Sequence, residues 1–149
     1  MATAATGSSS RLAFLLRPVP ASTSPGVRTA TVVGIVFGAA MIAVSALIHL
    51  HLWRIGYRHI RYIGPAFMFQ AISGFALAAA LLVYRRLAVV AAGAGFCIGS
   101  VVALLLSATV GFLGLHDGLD VPWANWSLAC ESAGFVVLAA CGAVILRRR

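Results

Sequence analysis

The chain contains no lysine, only three acidic residues, and no more than 9% charged residues in all. An ordinary soluble domain is about 25% charged, so this chain has too little polar surface to clothe a water-soluble globule. Equally missing are a CxxC pair, a glycine-rich phosphate loop followed by lysine, a nucleophile elbow and a zinc-protease helix motif. The common signatures of phosphoryl, acyl and metallopeptidase chemistry therefore find no foothold. Cysteine is scarce and scattered: Cys97, Cys130 and Cys141 lie singly within apolar stretches, the pattern of small buried residues and not of a disulfide framework.

What is abundant is apolar. Hydrophobic residues make up 62% of the 149 positions, and they gather in four runs, Thr29 to Trp53, Ala66 to Tyr84, Leu87 to Leu115 and Val121 to Leu146. Each is near or above the roughly 20 residues that carry a helix across a bilayer. Backbone groups in lipid must be paired within the spanning element, and none of the runs alternates polar with apolar as a barrel strand does. The expected fold is all-α: a polytopic four-transmembrane-helix bundle over residues 29–149, preceded by a flexible tail over residues 1–28 that is rich in Ala, Ser, Thr, Pro and Gly. The first run exceeds the apolar core of about 7 to 15 residues in a secretory signal, so it reads as a retained span.

A net charge of +8 in a soluble chain would suggest nucleic acid, but membrane topology accounts for it. All eleven basic residues are arginines, placed in tails and loops. With four spans, Arg11, Arg17, Arg28, Arg85, Arg86 and Arg147 to Arg149 share one side, and Arg54, Arg58 and Arg61 the other. The positive-inside bias puts both termini in the cytoplasm of a bacterial plasma membrane. Small residues at helix-contact spacing, Gly34 with Gly38, Gly74 with Ala78 and Gly95 with Gly99, suit close helix approach or a homo-oligomer face.

On this orientation every histidine and every acid falls in the outer half. Glu131 is the one charge inside a span, roughly 8 to 15 Å along the fourth helix. An intramembrane carboxylate needs compensation; His49, from the first span, is the expected partner, with Arg54 above it. The segment from His49 to Pro65 carries a second candidate site. If it continues as a helix, His51, Arg54, Arg58 and Arg61 share a broad side, with Trp53 and Tyr57 at headgroup level. Trp53, Arg54, Tyr57, Arg58 and Arg61 are thus candidates for binding anionic lipid or a partner subunit. Gly64 would permit the bend into span two and Pro65 would sit in its first turn.

Imidazoles also suit metal or haem. His49 and His51 point about 200° apart on one helix and cannot share an ion, so a metal site would have to assemble His49 with His116 and Asp117, or a haem would take histidines of two spans. Gln70, Ser73, Ser107, Thr109 and Ser127 are available for interhelical hydrogen bonds.

The segment HLHLWRIGYRHIRYIGP, followed by AFMFQAISGFALAAALL, resembles small, mostly uncharacterised four-span membrane proteins of actinobacteria. The resemblance implies the four-span architecture and a cell-envelope location, and it brings no catalytic residues. The reading is then a non-catalytic integral membrane protein acting as a partner-subunit or lipid-binding component through its basic outer loop, with no cofactor assigned. The alternatives are a small haem- or metal-binding redox subunit and a proton- or solute-coupled transporter working through Glu131.

Overall fold

A computed structural model describes residues 24–111, 116, 119 and 123–147. Four helices account for nearly all of them: α1, Pro25–Ile55; α2, Ile63–Tyr84; α3, Leu87–Thr109; and α4, Ala124–Leu146. All four are long and apolar enough to cross a membrane. The chain is thus a multi-pass helical membrane protein.

Local chemistry sets the helix ends. Pro25 occupies the first turn of α1, where its missing N–H costs nothing; α1 therefore begins four residues before the apolar run, and Pro25 to Arg28 belong to helix, not to the tail. The rest of the expected tail, residues 1–23, lies outside the described residues. At the other end the helix stops at Gly56, whose N–H bonds Leu52 O. A single 3-10 turn, Tyr57–His59, then leads towards α2. The expected helical continuation through Arg61 is therefore interrupted. Pro65 does fall in the first turn of α2, but Gly64 serves a different purpose from the expected bend. A Cβ there would lie 2.6 Å from the carbonyl oxygen of Arg58, so glycine lets the loop backbone rest directly on the helix.

Arg85 closes α2 in the left-handed region, with φ 40° and ψ 43°, and Arg86 is extended as α3 begins. This two-residue connection forces α2 and α3 to run antiparallel. Val110 N–H still bonds Leu106 O, and Gly111 follows at φ 84°; the remainder of the expected third span, residues 112–115, lies outside the described residues.

Neighbours in sequence are neighbours in space, and α4 closes the ring against α1. Leu138 of α4, fully buried, is the central knob: a Cβ added at Gly38 of α1 would lie 2.6 Å from it, and one at Gly93 of α3 would lie 2.9 Å from it. Ile35, Ile42, Leu81, Val90 and Ile145 complete the same core. The expected small pairs divide. Gly34 faces Cys141, Gly38 faces Leu138, and Gly74 faces Ala46 on α1, whereas Gly95 and Gly99 look into open space. Close approach on α3 depends on Gly93 instead. Gln70 of α2 donates to Ser100 of α3, whose own hydroxyl donates a hydrogen bond to Phe96 O.

Candidate functional site

The chemistry gathers at the end of the bundle where α1 meets α2. Glu131 lies seven residues into α4, about 10 Å along the helix, and is 1% exposed. Its Oε1 accepts two hydrogen bonds, from Ser45 Oγ of α1 at 2.7 Å and from Ser127 Oγ, one turn earlier on α4, at 3.0 Å. Both donors are themselves buried. Two hydroxyl bonds to one carboxyl oxygen offset much of the cost of burying it, and the one from Ser45 ties α1 to α4.

His49 stands one helical turn from Ser45. Its Nδ1 is 2.9 Å from Ser45 O and 3.5 Å from Ser45 Oγ. The carbonyl can only accept, so Nδ1 carries a proton and donates to it. The pairing of His49 with Glu131 is therefore indirect: Ser45 stands between them. Ser45 is the functional residue that sequence reasoning missed. Its signal was present as two hydroxyl-to-titratable pairs at four-residue spacing, Ser45 with His49 and Ser127 with Glu131, which place each hydroxyl on the face of its titratable neighbour.

An aromatic stack continues from this cluster to the loop. The His49 ring meets Phe67 of α2 edge-on, centroids 5.2 Å apart, and Phe67 stacks on Tyr57 at 5.1 Å. His51 turns the other way and meets Trp123, at the start of α4, edge-on at 5.3 Å. The two histidines thus address different neighbours, as their spacing on one helix requires.

Above the stack, Arg54, Arg58 and Arg61 are all exposed, and Trp53 and Tyr57 are half-buried. Arg58 Nε donates to His59 Nε2 at 3.0 Å, and the Arg61 guanidinium lies 5.2 Å from the Tyr62 ring centre. Glu131 is the one acid among the described residues, and serines bond it below this collar. His116 is exposed, and Asp117 lies outside the described residues, as does Asp120. Among the described residues no three His, Cys, Asp or Glu side chains gather as metal ligands. Scans against family models, curated proteins and solved structures give no match for this chain.

Proposed function

We propose that this is a non-catalytic integral membrane protein of the bacterial plasma membrane whose α1–α2 loop binds the phosphates of anionic lipid headgroups. The observation that carries the reading is the exposed triad of Arg54, Arg58 and Arg61 at one end of an apolar bundle, with no carboxylate among the described residues set to neutralise it. Guanidinium forks match phosphate oxygens in geometry as well as charge. Trp53 and Tyr57, half-buried beside them, have the amphipathic rings that favour headgroup depth. The arginine count, eight against three, supports an orientation with both termini cytoplasmic and this collar on the outer face.

Native mass spectrometry of the full chain, offered phosphatidylglycerol and phosphatidylcholine in turn, tests the proposal. Each arginine near an anionic surface contributes about 1 kcal/mol, so replacing all three with glutamine weakens phosphatidylglycerol retention roughly a hundredfold and leaves phosphatidylcholine retention unchanged. Equal retention of phosphatidylglycerol by the triple variant overturns the assignment.

A further inference from the structure

We propose that Glu131 is a proton-binding site that exchanges with the α1–α2 end of the bundle through Ser45 and His49. Three features of the geometry carry it beyond a helix-to-helix tie. The carboxyl group is sealed from solvent, yet Ser45 Oγ touches it at 2.7 Å and is itself 3.5 Å from a ring nitrogen. His49 is only partly buried, six residues from the end of α1, about 9 Å along the helix. Its Nδ1 faces Ser45, which leaves Nε2 to collect a proton arriving from the membrane surface. A structural lock requires the serines alone; it gives no reason for an imidazole placed one turn nearer the surface on the face of Ser45.

The transfer balances over three groups. Nε2 takes up a proton, and the imidazolium so formed releases its Nδ1 proton to Ser45 Oγ as a side-chain rotation of the serine closes the 3.5 Å gap. The hydroxyl proton of Ser45 passes at the same time to Glu131 Oε1. An N–H and an O–H bond break, two O–H bonds form, the serine is unchanged in sum, and the imidazole is left neutral with its proton on Nε2. The carboxylate ends as a neutral acid. The other titratable groups around it are few: Cys97 on α3 and Cys130 on α4 lie near enough to feel its charge, and α2 contributes Phe67, which does not titrate, against His49. No second carboxylate among the described residues competes for the proton.

Glu131 is the only glutamate in the chain, so glutamate isotopically labelled at the side-chain carboxyl carbon reports it alone. Full-length labelled protein in phosphatidylcholine nanodiscs is taken through a rapid acid step while the labelled carbonyl stretch is followed by infrared spectroscopy. The neutral-acid band rises in the wild type. It reaches the same amplitude about a hundredfold more slowly in His49→Gln, the scale of a positioned proton-transfer group. Ser45→Ala, a variant of a different element of the route, slows the rise as well. Circular dichroism and gel filtration establish that each variant is folded. A carboxyl band that does not respond to acid overturns the site, and a wild-type rate in either folded variant overturns the route.

Discussion

A single carboxyl oxygen accepts hydrogen bonds from two serine hydroxyls, and the energetics of the site follow from that sharing. Removing Ser45 Oγ leaves Ser127 in place, and the reverse also holds, so each serine-to-alanine change alone costs about 1 kcal/mol, the usual scale of one buried side-chain hydrogen bond. Removing both strips Oε1 of its described donors. The double variant then loses more than the sum of the two singles, with a coupling of about 0.5 to 3 kcal/mol, as expected for groups in one network. Denaturant unfolding of the four proteins in micelles measures this; strictly additive losses would show that the serines act separately. The intramembrane acid and its histidine were legible from their rarity in apolar runs. The mediator was easily passed over, because a serine or threonine in a helix ordinarily bonds its own backbone, as Ser73 does with Phe69 O and Thr109 with Leu105 O. Ser45 differs from these by His49 one turn along its own helix, a signal in the sequence, and by Glu131 on the partner helix, which only the fold reveals.

Among the helices, α1 and α4 are held by interlocking shape. Leu138 fills the gap left by Gly38, so Gly38→Ala overpacks the interface by about 1 to 3 kcal/mol, and Leu138→Ala leaves a cavity costing about 2 to 5 kcal/mol. The colliding atoms belong to one flexible side chain. The combined variant is therefore less destabilised than the two losses added together, a rescue that unfolding in micelles reads directly. That four helices exist was plain from the runs themselves, since lipid admits few alternatives. Their ends were harder, being set by Pro25, Gly56 and Gly111 rather than by hydropathy. Which small residues meet a neighbour was also hidden on α3: Ala, Gly and Val surround that helix on every side, so composition does not mark Gly93 as inward and Gly95 as outward.

For the molecule as a whole, the sidedness proposed from arginine placement makes a simple demand. In a variant lacking the native cysteines, Cys introduced at His59 reacts in intact cells with a membrane-impermeant maleimide, and Cys introduced at Arg86 reacts only after the membrane is opened. The reverse labelling pattern would invert the bundle and put the arginine collar on the cytoplasmic leaflet.

At 31 residues α1 outlasts its three companions. Arg28 and Arg54, near its two ends, are separated by roughly 39 Å of helix, close to the headgroup-to-headgroup span of about 40 to 45 Å. The helix thus serves as a gauge with a charged stop at either end. A thinner bilayer makes it lean and a thicker one draws it upright. Because Ser45 and His49 ride on this gauge, the tilt that a membrane imposes is felt where α1 grips the carboxyl group of α4.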